Sequence, residues 1–198
     1  MLQLPHKYIL NIKPFEYLKQ GPSHCGAFSV KAILDAYGLG NKRHPKEYHT
    51  RWFSRLTGNS LGKEYYARIL NSYGLKARIK TAKLLPDDGK IKLLKSLLAE
   101  GNPVMVRIGN GYLTYKYNPF FGKIVGHWIT LWGYDDAKQI FYVYDSGLPT
   151  QYWNSSLTIG NTTRTHQEIL RDWKFGLWQP WVWLFMGREN YVYIDVKK

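Results

Sequence analysis

The pattern of apolar and polar positions changes near residue 103. Before that point apolar residues recur mainly at the three- and four-residue spacing of helices, and after it they alternate or run together as in strands. The pattern predicts helices at residues 25–37, 45–58, 60–73, 86–100 and 165–173. The helix that starts at Cys25 is apolar on more than one side, which predicts that it is central and largely buried.

Strands are predicted at residues 8–12, 75–81, 103–108, 126–134, 139–144, 181–186 and 191–196. Residues 135–138 form the turn of a predicted hairpin, and residues 109–122 are predicted to be a loop. Because most helices precede most strands, we predict an α+β fold in which the Cys25 helix packs on an antiparallel sheet from the second half. No repeat or linker divides the chain, so we expect one domain over residues 1–198.

Composition limits the compartment and the kinds of site. With 198 residues, 44% of them hydrophobic, the chain is long enough to bury a core. Its single cysteine excludes an intrachain disulfide framework and a thiolate-rich zinc site, and it fits a reducing compartment. The first residues lack a signal-peptide pattern, and the most apolar run, residues 175–187, is shorter than the roughly 20 residues that span a bilayer. We therefore expect a cytoplasmic protein with no transmembrane segment and no cofactor.

The net charge of +14 is concentrated in the first half of the chain. Residues 1–100 contain 18 lysines and arginines against 7 acidic residues, whereas residues 101–198 contain 10 against 7. Such an excess attracts acidic partners, among them an acidic peptide, an anionic lipid or a nucleic acid. The alternative interpretation is a solvated basic face that keeps the protein soluble.

Cys25 lies where a loop meets a predicted helix. Residues 21–24, Gly-Pro-Ser-His, lead up to it, and an apolar helix-forming run follows it. A helix N-terminus carries about half a positive elementary charge, which favours a thiolate over a thiol. The pattern therefore predicts an activated sulfur, although a lone cysteine is often only a small buried hydrophobic residue.

A nucleophilic cysteine needs a base, a group that orients the base, and donors for the oxyanion that develops. His127 lies near the start of one predicted strand of the hairpin, and Asp145 lies at the end of the other. If the two strands pair, His127 and Asp145 are neighbours. Gln20 offers a side-chain amide beside the backbone N–H of Cys25, so the two together are predicted to form an oxyanion hole.

Other residues compete for these roles less well. Asp135 and Asp136 are alternative orienting groups, but they lie in the hairpin turn, at the opposite end from His127. His24 adjoins Cys25 and is expected to point away from the thiol. The remaining histidines have no spacing typical of a metal site: His6, His44, His49 and His166.

Several motifs occur in an order that resembles a known family. They are Gln20-(four residues)-Cys25-Gly26, Leu97-Leu98-Ala99-Glu100-Gly101-Asn102-Pro103-Val104-Met105-Val106, Gly126-His127-Trp128-Ile129-Thr130-Leu131-Trp132-Gly133-Tyr134-Asp135 and Tyr142-Val143-Tyr144-Asp145-Ser146-Gly147. Over about residues 17–150 the chain resembles the papain-like cysteine peptidases of the C39-like group. This resemblance implies a papain-like fold with Cys25 as nucleophile, His127 as base, Asp145 as orienting group and Gln20 in the oxyanion hole.

The resemblance implies hydrolysis of a peptide or isopeptide bond through an acyl-enzyme. Family members that cleave leader peptides after a double glycine sit on ABC transporters, whose membrane spans and Walker motif this sequence lacks. The chain is more similar to the free-standing members, because its spacing from Gln20 to Cys25 is one residue shorter. Two alternatives remain open: an acyl transferase or cross-linking enzyme on the same scaffold, and a basic module that binds nucleic acid or another polyanion.

Overall fold

The computed structural model describes residues 4–59, 64–112, 116–175 and 190–198. Its strands are β1 (Lys7–Ile9), β2 (Lys76–Thr81), β3 (Val104–Gly109), β4 (Gly126–Asp135), β5 (Ile140–Tyr144), β6 (Thr162–Thr165) and β7 (Val192–Lys197). Its α-helices are α1 (Cys25–Ala36), α2 (Trp52–Thr57), α3 (Tyr65–Ser72), α4 (Asp87–Ala99), α5 (Pro119–Ile124) and α6 (His166–Trp173). Within these ranges, two short 3₁₀ helices span Pro45–Tyr48 and Thr150–Tyr152.

The strands form one antiparallel sheet in the order β2-β7-β3-β4-β5-β6. Strand β4 is long enough to pair with β3 along residues 126–131 and with β1 along residues 133–135. The predicted hairpin is present, because β4 and β5 pair in antiparallel register from Asp135 opposite Ile140 to Thr130 opposite Tyr144. This mixture of helices with an antiparallel sheet confirms the predicted α+β class.

Helix α1 lies at the centre of the molecule, as its sequence predicts. Every residue from Gly26 to Asp35 is buried, and the helix packs on β4, on the first 3₁₀ helix and on α3. The ring of Tyr66, on α3, lies so close to Gly26 that a β-carbon there would be 2.1 Å from the ring. A glycine directly after Cys25 therefore allows the start of α1 to approach α3.

Two sequence predictions about elements were wrong in detail, and one strand was missed. The helix predicted over residues 45–58 is a 3₁₀ turn followed by α2, because the backbone is extended at His49 and Arg51 and turns the His49 side chain inward. The loop predicted over residues 109–122 contains the start of α5, where Asn118 caps the helix and Pro119 occupies its first position. Strand β6 was not predicted at all.

Two further predictions concern residues outside the described part of the chain. They are the helix start at Ser60 and the strand over residues 181–186. Within the described residues, no helix is long and apolar enough to cross a membrane.

Candidate active site

Three predicted site residues meet at one end of the β4–β5 hairpin. Cys25 is the first residue of α1, His127 is the second residue of β4, and Asp145 directly follows β5. The Nε2 atom of His127 lies 2.7 Å from Oδ1 of Asp145, and both side chains are buried. The side chains of Cys25 and His127 are also hydrogen-bonded to each other, which leaves Nδ1 as the ring nitrogen that faces the sulfur.

The Cys25–His127 pair favours a charged thiolate and imidazolium. Burial raises the pKa of the Cys25 thiol, but the hydrogen bond and charge of His127, together with the N–H groups of Trp128 and Gly26, bring that pKa below its usual value. Burial likewise opposes the charged form of His127, yet the carboxylate of Asp145 and the sulfur raise its pKa to about 10. Both pKa shifts therefore favour the thiolate–imidazolium ion pair over the neutral pair.

Asp145 is held from several sides by groups that stabilise its negative charge. Its Oδ1 atom accepts hydrogen bonds from the N–H groups of Gly147 and Leu148 at 3.0 and 3.1 Å, and its Oδ2 atom accepts one from Arg164 at 2.7 Å. Burial raises the pKa of this carboxyl group, but His127 and Arg164 more than offset that effect and lower it. Asp145 is therefore ionised beside the imidazole.

The residues that surround Asp145 were not predicted from the sequence. Arg164, on β6, is buried and also donates to Oδ2 of Asp172 at 2.9 Å. The side chain of Asn161 brackets the Asp145 backbone, accepting from its N–H at 2.8 Å and donating to its carbonyl at 2.9 Å. The only available signal was the β-branched run Thr162-Thr163-Arg164-Thr165, which is typical of a strand and places an arginine in its interior.

Gln20 is oriented by the turn that follows Asp145. Its backbone N–H donates to the Ser146 carbonyl at 3.0 Å, and the Ser146 hydroxyl donates to its side-chain oxygen at 2.6 Å. Because the amide oxygen already accepts this bond, the Nε2 hydrogens are the part of the amide available to an oxyanion. Gln20 also lines a cavity of about 530 Å³ together with Gly147.

Lys19 joins the Gln20 loop to the same turn. Its ammonium donates to the carbonyls of Gln20, Ser146 and Gly147 at 3.1, 3.3 and 3.1 Å. Three donors thus meet three acceptors, so this ammonium is fully hydrogen-bonded to protein carbonyls. Lys19 therefore links the segment of Gln20, the predicted oxyanion donor, to the turn that follows Asp145, the predicted orienting group.

The competing residues lie elsewhere. Asp136 forms an ion pair with Lys95 at 2.8 Å, and Asp135 lies 3.5 Å from Lys7, both at the far end of the hairpin. His24 points away from the thiol, towards His49, with 3.1 Å between the ring nitrogens. Within the described ranges, no group of three or more His, Cys, Asp or Glu side chains is arranged to hold a metal ion.

Gly147 provides a first test of this geometry, because the His127 ring packs directly against it. A β-carbon at residue 147 would lie 2.7 Å from Cε1 and 3.0 Å from Nε2 of His127. Gly147→Ala should displace the ring, weaken the ion pair and slow the alkylation of Cys25 by iodoacetamide at pH 7 by roughly three- to tenfold, since the thiolate is the reactive form.

The matched control for Gly147→Ala is Gly122→Ala. In α5 the new methyl group would meet nothing closer than the Tyr117 hydroxyl at 3.6 Å, an ordinary contact. Alkylation of the Gly122 variant should equal that of the wild type. Equal rates for both variants would show that the His127 ring does not depend on Gly147.

The chain is similar both to a family of known sequences and to solved structures of related fold. Residues 24–146 match the family model described as butirosin biosynthesis protein H, N-terminal. A crystallised double glycine motif protease from an AMS/PCAT transporter, in complex with the leader peptide, is 13% identical with a TM-score of 0.53 over 96% of this chain and 97% of that one. A protein from Bacillus anthracis described as a C39-like peptidase is 16% identical with a TM-score of 0.56 over 97% and 98%. No curated protein matches the sequence.

The structural likeness extends over nearly the whole chain and confirms the papain-like, C39-like fold that the ordered motifs predicted. The family match covers more than half of the sequence and includes Cys25, His127 and Asp145. The chain therefore belongs to the family of the N-terminal part of butirosin biosynthesis protein H.

Proposed function

We propose that the protein is a cysteine hydrolase that cleaves an amide, in a peptide or isopeptide bond, through an acyl-enzyme on Cys25. The observation that carries this proposal is the arrangement of a partly exposed Cys25 with the buried His127 and Asp145 at the start of a central helix. A thiolate paired with an imidazolium is the nucleophile that such chemistry requires. The fold of C39-like peptidases adds support.

The proposed reaction begins when the Cys25 sulfur attacks the carbonyl carbon. A carbon–sulfur bond forms, and the carbonyl electron pair moves onto oxygen, where the Gln20 amide and the Cys25 N–H donate to it. As the oxyanion collapses, the carbon–nitrogen bond breaks and His127 gives its proton to the departing amine. Water then attacks the thioester, His127 takes its proton, and the carboxylic acid leaves as the thiolate is restored. Asp145 holds the imidazole in position throughout.

Acyl transfer is the second candidate, because the family matched by residues 24–146 is acyltransferase-like. In that reaction an amine attacks the thioester in place of water, and the same four residues serve both outcomes. Mass spectrometry distinguishes them when p-nitrophenyl acetate is supplied with glycinamide as the amine. Hydrolysis yields acetate, whereas transfer yields N-acetylglycinamide at a rate that rises with glycinamide concentration.

A peptide is the proposed source of the acyl group. The structurally similar double glycine motif protease was crystallised with a leader peptide. The excess of basic residues in the first half of the chain suits an acidic peptide. Cleavage of a peptide library with acidic and basic halves tests this preference, and equal turnover of both halves would contradict it. A reducing, cytoplasmic location is part of the same proposal.

The pH dependence of alkylation tests the proposed nucleophile directly. Because the chain contains one cysteine, iodoacetamide labelling measured by intact mass reports on Cys25 alone. The lowered pKa of Cys25 predicts a midpoint below the value of about 8.5 of a free thiol. N-acetylcysteine in the same buffers is the reference, and a Cys25 midpoint equal to or above that of the reference would contradict the proposal.

A further inference from the structure

The residue before the proposed nucleophile has an unusual backbone. His24 is the N-cap of α1 and adopts φ 77° and ψ 12°, in the left-handed region. This conformation is unfavourable for a residue with a β-carbon, whereas glycine adopts it freely. Something in the surrounding structure must therefore hold His24 in place.

The side chain of His24 is anchored by a chain of three buried rings. Its Nδ1 atom lies 3.1 Å from Nε2 of His49, and Nδ1 of His49 lies 3.1 Å from the Tyr65 hydroxyl. That hydroxyl also accepts the backbone N–H of Thr50 at 3.2 Å. Since its one hydrogen remains available, Tyr65 can donate to His49 and His49 to His24. The chain connects the start of α1 to the 3₁₀ turn and to α3.

The two imidazoles are suited to this bonding because they are neutral near pH 7. Burial lowers the pKa of His49 to about 4, and the charge that His24 carries when it is protonated and the charge of Arg55 act in the same direction. Burial, Lys46 and His44 likewise lower the pKa of His24. With one hydrogen on each ring, the bond between the rings has one donor and one acceptor.

The backbone of His24 is confined as well. Gly58, which follows α2 at φ 76°, lies against it, and a β-carbon at Gly58 would be 2.5 Å from the His24 nitrogen. On the other side, the His24 carbonyl accepts the N–H groups of Ala27 and Phe28 at 2.8 and 3.2 Å. The peptide that joins His24 to Cys25 is thus held by the hydrogen bonds to the His24 carbonyl. The packing of Gly58 against the His24 nitrogen and the anchoring of the His24 side chain confine it further.

We propose that His24 is a positioning residue, held by His49 and Tyr65, that fixes the peptide plane before Cys25 and so aims the Cys25 N–H at the oxyanion. The N–H belongs to the same rigid peptide unit as the His24 carbonyl, so a change in ψ at His24 rotates both together. The position of the Cys25 sulfur depends less on this peptide plane, because His127 and Trp128 contact the sulfur from β4. This inference rests on the proposed acyl-enzyme on Cys25.

Two reagents separate the oxyanion donor from the nucleophile. Acylation by p-nitrophenyl acetate passes through an oxyanion, whereas alkylation by iodoacetamide displaces iodide and forms none. We expect His24→Ala to slow acylation about 10- to 100-fold, somewhat less than the loss of a whole oxyanion donor. Alkylation at pH 7 should remain within about threefold of the wild-type rate, since the thiolate does not need that donor.

His24→Gly is the decisive companion variant. Glycine loses the same ring but adopts φ 77° without strain, so it should recover most of the acylation that alanine loses. His49→Ala should behave as His24→Ala does, because it releases the ring from the other end. Thermal unfolding of each variant identifies the ones that fold, and rates are compared only among those.

The outcomes distinguish the two proposals. If wild-type protein is not acylated at Cys25, the proposed function fails. If the wild type is acylated and His24→Ala matches it with both reagents, the positioning role fails while the function stands. Equal losses in His24→Ala and His24→Gly, or equal losses with both reagents, would also overturn the positioning role. A selective loss of acylation that glycine restores supports it.

Discussion

Replacing Cys25 with alanine is expected to abolish acylation by p-nitrophenyl acetate, with a fall of at least about 10³-fold in the rate of p-nitrophenolate release. The catalytic residues act together, so removal of the nucleophile prevents formation of the acyl-enzyme altogether. The base and the oxyanion hole then have no attacking atom to assist. The measurements are the initial burst of p-nitrophenolate and the acetylated mass of the intact protein. One acetyl group per chain, present in the wild type and missing from the variant, is the expected pattern.

Cys25→Ser is the control for this loss. Serine keeps the size and the hydrogen bond, but its hydroxyl is far harder to ionise than a thiol, so His127 must remove the proton during attack. We expect a burst slower than that of the wild type in the serine variant and none in the alanine variant. Continued acetylation of the alanine variant at the wild-type rate would show that another side chain is the nucleophile, and the proposal would then be wrong.

The placement of His127 beside Asp145 could be predicted because it depends on local sequence. Two apolar runs and a four-residue turn define the hairpin, and an antiparallel pair necessarily brings the start of one strand to the end of the other. The burial of α1 was predictable for a similar reason, since apolar residues occupy more than one of its sides. These are features that neighbouring residues determine.

The surroundings of the site could not be predicted, because they depend on contacts between distant segments. Arg164 reaches Asp145 from a strand whose sequence is mostly threonine, and the Ser146 hydroxyl meets Gln20 across 126 positions in the chain. A histidine beside a cysteine gives no sign that it is anchored elsewhere, and the bond from His24 to His49 depends on a break in a predicted helix. The spacing of apolar residues along the chain contains no information on such contacts between distant side chains.

Asp145→Asn is expected to reduce acylation at pH 7 by about 100-fold or more and to destabilise the protein. The new amide oxygen can still accept from Gly147, but the amide nitrogen then faces the Arg164 guanidinium, donor against donor, at a position where the native distance is 2.7 Å. Breaking a buried ion pair from one side costs about 3–5 kcal/mol. The loss of the carboxylate also lowers the pKa of His127, so less imidazolium is present and the alkylation midpoint of Cys25 moves to higher pH.

Asp136→Asn is the matched control, since Asp136 pairs with Lys95 at the far end of the hairpin. This substitution should leave the acylation rate and the alkylation midpoint of Cys25 unchanged. An unchanged alkylation midpoint in Asp145→Asn would contradict the role proposed for that carboxylate.

A second change separates the two effects of Asp145→Asn. Adding Arg164→Gln removes the unpaired buried charge and offers a carbonyl oxygen to the new amide at position 145, so chemical denaturation should show part of the lost stability restored. Asp172 tolerates this change because Arg171 and Tyr117 also bond it, at 2.7 and 3.1 Å. Acylation should stay low, because neither amide supplies the negative charge that stabilises the imidazolium of His127. If the stability recovers and the acylation rate does not, Arg164 serves to hold the Asp145 carboxylate in place. The carboxylate itself then serves the acylation reaction.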